Sequence, residues 1–245
     1  MNELALFAGA GGGILGGHLL GWRTVCAVEW EPYPASVLVA RQNEGFLPPF
    51  PIWDDICTFD VKPWRGIAQV ISGGFPCQDV SAAGTGDGLD GERLRMWTEM
   101  ARVICEVRPQ HVFVENSPML TSRGLGRVLG DLAAMGFDAR WGVLGANFAG
   151  FDHRRQRIWI VANCAGNRLE GRNNSRSPGQ WKTKIRSMAG LCKAKTRVDL
   201  PSPDAFGNAN GVAARVDRLK AIGNGQVPLC AATAWRVLSD HHPKD

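Results

Sequence analysis

The sequence predicts an α/β fold with a doubly wound, mostly parallel sheet and a small basic insertion. Apolar runs of four to six residues alternate with segments whose apolar residues recur at helical spacing. Two of these runs end in glycines, which suit the tight turn from a strand into a loop that faces a ligand. Strands that alternate with helices form βαβ units, in which helices cover both faces of a parallel sheet.

The predicted strands are apolar runs bounded by glycine or polar residues. In chain order they are LALF at 4–7, VCAVEW at 25–30, a strand ending in WDDI at 53–56, QVISGG at 69–74, HVFVEN at 111–116 and RIWIVA at 157–162. Parallel strands present their carboxyl ends at one edge of the sheet, and ligands gather at that edge in open α/β folds. We therefore look for the functional residues just after these runs.

The predicted helices lie between the strands and at the end of the chain. They are 14–22, weakened by its glycines; 31–44, with prolines in its first turn; 93–107, with apolar residues at helical spacing; 125–136; and 228–238. The C-terminal helix follows a long polar stretch and is expected to return to the first domain.

The alternating pattern stops near residue 163. Residues 166–200 carry nine basic and two acidic residues, a charge of +7 within a chain whose total is +5. A polyanionic partner and a solvated loop both explain this charge. We predict three regions: an α/β domain at 1–163, a small basic region at 164–206, and a C-terminal segment at 207–245 that rejoins the α/β domain.

Composition favours a globular intracellular protein. The chain has 44% apolar residues, no apolar run long enough to cross a membrane, and no basic start typical of a signal peptide. Its seven cysteines include no CxxC pair, which argues against a zinc ribbon and for free thiols. Cys105, within a periodic helix, is expected to be a core cysteine.

The first predicted strand leads into a glycine-rich loop that suits a nucleoside cofactor. Gly9, Gly11, Gly12 and Gly13 allow close approach of a ligand. Glu29 follows Gly9 by twenty residues, at the end of the second strand, and suits hydrogen bonds from ribose hydroxyls.

Two more residues extend this cofactor site. Trp30 is positioned to cover an adenine, and Asp55 to accept a hydrogen bond from an exocyclic amine. These residues alone fit a dinucleotide or S-adenosylmethionine equally well.

A thiol and a carboxyl group are expected at the same sheet edge. Cys77 follows the strand QVISGG in the loop GGFPCQDVSAAG, and Glu115 ends the strand HVFVEN. This pair suits covalent catalysis, in which the thiolate attacks and the carboxyl group handles a proton.

Six ordered stretches resemble the cytosine-C5 DNA methyltransferases, which depend on S-adenosylmethionine. LFAGAGG is similar to the first cofactor motif, VEWEPYP to the second, GGFPCQDVSAAG to the catalytic loop, VFVENS to the Glu-Asn motif, HRRQRIWIVA to the Gln-x-Arg-x-Arg motif, and IGNGQVP to the last cofactor motif. Ser117, His153 and the Gly-Gln pair in IGNGQVP depart from the usual residues. The chain is small for the family and is similar to its bacterial or phage members.

The resemblance implies a Rossmann-like methyltransferase fold and methyl transfer to C5 of a flipped cytosine in double-stranded DNA. Cys77 would attack C6 of the base and Glu115 would stabilise the ring at N3. Arg155 would hold the O2 side, and Arg157 would support the loop or a phosphate. S-adenosyl-L-homocysteine would be the product.

The resemblance also implies binding residues. The expected cofactor-binding residues are Phe7, Ala8, Gly9, Gly11, Gly12, Glu29, Trp30, Asp55, Ile56, Pro76, Met96 and Asn224. The expected DNA-binding residues are Gln78, Ser81, Arg172, Arg176, Lys182, Lys184, Arg186, Lys193 and Lys195. We expect no metal and no membrane association, a monomer in the cytoplasm of a bacterial or phage-infected cell, and any cognate restriction endonuclease on a separate chain.

Three alternatives stay open at this point. A cytosine-C5 methyltransferase acting on RNA would use the same loop, because phosphate attraction is common to both nucleic acids. A nicotinamide oxidoreductase would explain the glycine loop and Glu29, but not the other motifs together. An inactive nucleic-acid binder would not need the thiol and the carboxyl group.

Overall fold

The computed structural model describes residues 1–76, 95–152, 155–164 and 223–239, together with Asp217 and Ala221. The strands are β1 (Asn2–Leu6), β2 (Arg23–Val28), β3 (Ile52–Trp53), β4 (Val70–Gly73), β5 (His111–Asn116), β6 (Phe137–Gly145) and β7 (Gln156–Cys164). The helices are α1 (Gly12–Leu19), α2 (Pro32–Asn43), α3 (Arg95–Val107), α4 (Leu120–Arg123), α5 (Leu125–Ala134) and α6 (Pro228–Ser239). Two 3₁₀ turns lie at Lys62–Trp64 and Ala146–Ala149.

The seven strands form one sheet in the order β3-β2-β1-β4-β5-β7-β6. β1 pairs in parallel with β2 on one side and with β4 on the other, and β2–β3 and β4–β5 are also parallel. The chain thus winds outward in both directions from β1, and the crevice between the carboxyl ends of β1 and β4 is the switch point where such folds bind ligands. The predicted doubly wound, mostly parallel α/β fold is confirmed.

The sheet ends in an antiparallel hairpin that we did not predict. β7 runs antiparallel to both β5 and β6, with Glu115 opposite Trp159 and Gly145 opposite Gln156. The short connection from β6 to β7 cannot hold the crossover that parallel strands need. The sequence did not predict β6, because this edge strand has no continuous run of apolar residues. One side of the strand is open to solvent, and Trp141 is 45% exposed.

Helices pack on both faces of the sheet. On one face, α3 and α5 bury Trp97, Met100 and Leu132 against the strands. On the other, Trp235 of α6 packs against Trp22, with ring centroids 4.7 Å apart, and against Phe113 of β5. This second contact fixes the C-terminal helix, and hence the residues just before it, against the sheet.

The cysteines differ partly from expectation. Cys26 and Cys230 are buried, whereas Cys57, Cys105 and Cys164 are exposed. The prediction that Cys105 is a core residue is wrong, because α3 directs Val103, Ile104 and Val107 into the core and leaves Cys105 on its outer side. In the part of the chain that the structure describes, no helix is long and apolar enough to cross a membrane.

Candidate active site

The loop after β1 takes a path that glycine makes possible. Phe7, Gly9 and Gly11 have positive φ angles of 51°, 55° and 90°. A Cβ at Gly11 would lie 2.8 Å from Leu38 of α2, whereas a Cβ at Gly9 would meet no atom within 4 Å. The loop is therefore packed against α2 at Gly11 and borders open space at Gly9, at the carboxyl edge where a ligand can approach.

Glu29 is fixed at the end of β2 by two backbone donors. Its Oε2 accepts a 2.6 Å hydrogen bond from the Gly9 N–H, and its Oε1 accepts a 2.8 Å bond from the Glu31 N–H. The residue is only 8% exposed. Glu29 thus couples the glycine loop to β2, a contact that the sequence did not indicate. Each carboxylate oxygen has a second lone pair, so the predicted ribose contact is compatible with both bonds.

The other residues expected around the cofactor lie at the same edge. Trp30 directly follows this carboxylate and is 69% exposed, which leaves its ring accessible. Asp55 Oδ1 accepts a 2.8 Å bond from the Cys57 N–H in the turn after β3, next to the buried Ile56.

Phe7 and Ala8, in the loop after β1, pack partly buried against the core. Met96 also packs partly buried, near the start of α3, whereas Pro76 and Asn224 are exposed. All twelve expected cofactor residues therefore lie in the part of the chain that the structure describes.

Glu115 is a buried carboxyl group at the end of β5. It is 7% exposed, and burial raises its pKa to about 7, against the opposing influence of Arg157 and Arg155. Arg157 Nε lies 2.8 Å from Glu115 Oε1. The N–H is not aimed along this line, so among the described residues Oε1 has an ion-pair neighbour but no aligned hydrogen bond. A carboxyl group with this pKa changes between donor and acceptor near neutral pH.

Arg155 connects the start of β7 with the C-terminal segment. Its Nη2 donates a 2.7 Å hydrogen bond to the Gly225 carbonyl oxygen, and burial followed by the nearby Arg157 charge lowers its pKa. The family resemblance implied that Arg155 holds the O2 side of the cytosine ring and that Arg157 supports the loop or a phosphate. The structure brings both guanidinium groups close to Glu115, and Arg157 makes the direct contact.

Three residues that the sequence analysis did not select complete the site. Asn116 Nδ2 donates a 2.9 Å bond to the Phe75 carbonyl oxygen, which ties the end of β5 to the chain two residues before Cys77. Gly74 leaves room for Glu115, because a Cβ there would lie 2.6 Å from Oε2. The Gln226 amide lies beside the Glu115 carboxyl group above Gly74, and hydrogen bonding from it lowers the pKa of Glu115. Asn116 and Gln226 lie within the quoted motifs VFVENS and IGNGQVP, and the glycine pair 73–74 was a sequence signal for close packing.

The other expected residues lie outside the described residues. They are Cys77, Gln78, Ser81, Arg172, Arg176, Lys182, Lys184, Arg186, Lys193 and Lys195. Within the described residues, no group of three or more His, Cys, Asp or Glu side chains could hold a metal ion.

Two groups of candidate functional residues lie along one edge of the sheet. A glycine loop with a fixed carboxylate lies after β1 and β2, where the backbone can approach a nucleoside and Glu29 can accept hydrogen bonds from its hydroxyl groups. A proton-exchanging carboxyl group between two arginines lies at the end of β5, beside the strand that leads to Cys77. These features fit a nucleoside cofactor next to a covalent reaction centre.

Comparison with known proteins identifies relatives. A profile of the family described as C-5 cytosine-specific DNA methylase matches residues 1–205. The Type II methyltransferase M.Eco47II of Escherichia coli is 34% identical over 170 residues, which cover 65% of this chain and 38% of that protein. M.NgoBI of Neisseria gonorrhoeae, also a Type II methyltransferase, is 31% identical over 164 residues, covering 65% of this chain and 50% of that protein. The chain thus spans half or less of the length of these relatives.

Solved structures share the fold. A DNA modification methyltransferase encoded within an E. coli prophage gives a TM-score of 0.56 at 20% identity, covering 70% of this chain and 49% of that one. The S. pombe Dnmt2 methyltransferase gives a TM-score of 0.54 at 19% identity, covering 70% and 50%. At these identities the likeness establishes the architecture alone.

Proposed function

The chain belongs to the C-5 cytosine-specific DNA methylase family, and from this premise we propose that it transfers a methyl group from S-adenosylmethionine to C5 of cytosine in double-stranded DNA. The observation that carries the proposal is the Glu115 carboxyl group, buried with a pKa of about 7 beside Arg157. N3 of cytosine is a hydrogen-bond acceptor, so a carboxyl group that faces it must be able to hold a proton at neutral pH.

The covalent step falls to Cys77. Its thiolate forms a bond from sulfur to C6 of cytosine, and the electron pair of the C5–C6 double bond moves into the ring, where Glu115 stabilises the charge by donating to N3. C5 then takes the methyl group, the C5 proton leaves to a base, and re-formation of the double bond expels the thiolate. Asn116 supports this assignment by anchoring the chain at Phe75, two residues before Cys77.

We propose that S-adenosylmethionine binds at the glycine loop and supplies the methyl group, which its sulfonium gives to the C5 carbon nucleophile. The fit rests on the open space at Gly9 and on the Glu29 carboxylate beside it. We assign Glu29 to the ribose hydroxyls, Trp30 to the adenine face and Asp55 to the exocyclic amine. We assign the remaining expected cofactor residues to the same site.

DNA is favoured over RNA as the substrate by the family and by the Type II methyltransferases among the relatives. The target base must leave the duplex stack to meet the thiol, at a cost of a few kcal/mol. We propose that the basic region 164–206 contacts phosphates through its lysines and arginines, so that DNA binding weakens as salt rises. Gln78 and Ser81 follow the thiol in the chain and are proposed to touch the DNA.

The organisation of the protein is also a proposal. We infer a catalytic region at 1–163, a target-recognition region at 164–206 and a returning segment at 207–245. We propose a cytoplasmic monomer that uses no metal, with any restriction endonuclease on another chain.

A labelling experiment tests the function. Purified protein is incubated with S-adenosylmethionine labelled in its methyl group and, in separate reactions, with double-stranded DNA and with transfer RNA. We expect label in 5-methyldeoxycytidine from DNA, loss of labelling with Cys77→Ala, and retention with Cys105→Ala, a control at an exposed cysteine on α3.

Two outcomes would replace the proposal. Label confined to RNA would favour the RNA methyltransferase. Hydride transfer from NADH without any methyl transfer would favour the oxidoreductase.

A further inference from the structure

We propose that Gln226 is a positioning residue that holds the Glu115 carboxyl group and ties it to the glycine loop after β1. The inference rests on the proposed function for the role of Glu115, which is to stabilise the cytosine ring at N3. The contact itself stands on the packing of three segments that are distant in sequence.

The backbone of Gln226 is packed directly on the start of α1. A Cβ at Gly12 would overlap the carbonyl oxygen of Gln226, and a Cβ at Gly13 would lie 2.6 Å from its Oε1. Only glycine leaves room for this approach. The first turn of α1 therefore forms one wall of the space that holds the Gln226 side chain.

The other end of the Gln226 amide reaches the carboxyl group. A Cβ at Gly74 would lie 2.6 Å from Glu115 Oε2 and 3.0 Å from Gln226 Nε2, so both groups converge above this glycine. The hydrogen bond from Gln226 lowers the pKa of Glu115 against the larger effect of burial. Gln226 thus spans from the cofactor loop to the reaction centre.

The chemistry of each end agrees with this orientation of the amide. Oε1 lies at the first turn of α1, where helix N–H groups lack intrahelical partners and attract an acceptor. Nε2 can only donate, and the carboxyl group needs a donor. The reverse orientation would place the amide oxygen against the carboxyl oxygens and the amide N–H groups against other donors.

Gln226 differs from the two arginines near Glu115 in carrying no charge. From β7, Arg157 and Arg155 act on the carboxyl group through their charges. From the end of β4, Gly73 and Gly74 bring no titratable group. Gln226 can donate to the carboxyl group in its ionised and in its protonated state, and as a neutral donor it favours the ionised state less strongly than an additional cation would. A neutral donor therefore fixes the group without removing its proton at neutral pH.

The experiment compares Gln226→Met and Gln226→Glu with the wild type. Methionine keeps the length and removes the donor, whereas glutamate brings a second carboxyl group to Gly74. Gln42→Met is the matched control, because Gln42 Oε1 accepts from the Phe50 N–H far from this site. The Glu115 carboxyl is titrated by carbon-13 NMR and assigned from its loss in Glu115→Gln.

We expect the pKa of Glu115 to rise in Gln226→Met and to rise further in Gln226→Glu, because two carboxyl groups disfavour a second charge. The kcat for methylation should fall about tenfold in Gln226→Met, because a carboxyl group that is no longer held is displaced from the base. Affinity for S-adenosylhomocysteine should stay within about twofold of the wild type. Gln42→Met should leave all three measurements unchanged.

An unchanged Glu115 pKa in both variants would overturn the inference, as would an unchanged kcat in Gln226→Met. If one variant fails to fold, the titration of the other decides. If the wild type methylates no cytosine, the proposed function fails, while the carboxyl titration still decides whether Gln226 holds Glu115.

Discussion

Arg157 Nε lies 2.8 Å from Oε1 of Glu115, across the boundary between β7 and β5. The antiparallel pairing makes this contact possible, because it brings the start of β7 to the edge where the parallel strands end. Burial raises the Glu115 pKa and the cation lowers it, and the result is a value of about 7. The unpredicted edge hairpin therefore contributes Arg157 to the proposed active site.

The first prediction concerns the pH dependence of methylation. In the proposed mechanism protonated Glu115 donates to N3 of cytosine, so kcat/KM for DNA should fall as pH rises through about 7. Arg157→Met removes a charge that favours the ionised form, so the falling limb should move to higher pH. Arg127→Met, which removes an exposed arginine paired with Asp131 on α5, is the control. A limb that stays in place or moves to lower pH in Arg157→Met would contradict this account.

The second prediction concerns Glu29. Glu29→Ala removes the predicted ribose contact and also the acceptor for the Gly9 N–H. Loss of charged hydrogen bonds should weaken binding of S-adenosylhomocysteine by about 1.5–3 kcal/mol. Calorimetry measures the affinity, with Glu44→Ala, an exposed change at the end of α2, as the control. Equal affinity of Glu29→Ala and wild type would remove Glu29 from the cofactor site.

The third prediction concerns stability. Glu3 is fully buried, accepts hydrogen bonds from Ser72 Oγ at 2.6 Å and Thr24 Oγ1 at 2.8 Å, and has its pKa raised by burial to about 7. The pKa of Glu3 is higher in the folded chain than in the unfolded chain, so the folded state is favoured when the carboxyl group is protonated. Its stabilising effect is therefore lost as pH rises from about 4.5 through 7.

Glu3→Gln should remove this dependence. The free energy of unfolding of Glu3→Gln minus that of wild type should be roughly 3 kcal/mol larger at pH 8 than at pH 4. Denaturant unfolding across this range measures it, with Glu44→Gln as the surface control. A stability difference that is constant with pH would show that Glu3 does not titrate in this range.

The fourth prediction concerns Gly74. A methyl group at this position would lie 2.6 Å from Glu115 Oε2 and 3.0 Å from Gln226 Nε2, so Gly74→Ala should displace the carboxyl group. We expect kcat to fall by about tenfold or more, since small displacements of catalytic groups are costly. Gly126→Ala, where a Cβ meets no atom within 4 Å, should keep wild-type kcat. Full activity in Gly74→Ala would mean that Glu115 is not held at this point.

Much of this site follows from the sequence because parallel strands end at one edge. The runs LALF, VCAVEW and HVFVEN predict that the glycine loop, Glu29 and Glu115 lie at the same edge. The sequence did not predict the contacts between segments that are far apart in the chain. Gln226 reaches Glu115 only because Trp235 packs α6 against the sheet, and no local pattern indicates that contact. Arg157 meets Glu115 only because β7 is antiparallel.

The edge strand and Cys105 show a second limit. β6 is half exposed, so its pattern is diluted, and Cys105 sits beside buried neighbours on a helix whose apolar spacing does not include it. Periodicity identifies the buried face of an element well, but it assigns single residues at the margin of that face poorly.

The central claim is that Cys77 bonds covalently to cytosine during methyl transfer, and a trapped complex tests it most directly. DNA prepared with 5-fluorocytosine throughout is incubated with the protein and S-adenosylmethionine, since fluorine at C5 blocks the final elimination. The account predicts a complex that survives denaturation, maps by mass spectrometry to Cys77, forms normally with Cys105→Ala and is absent with Cys77→Ala. A stable complex at another residue, or methylation of ordinary DNA by Cys77→Ala, would contradict it.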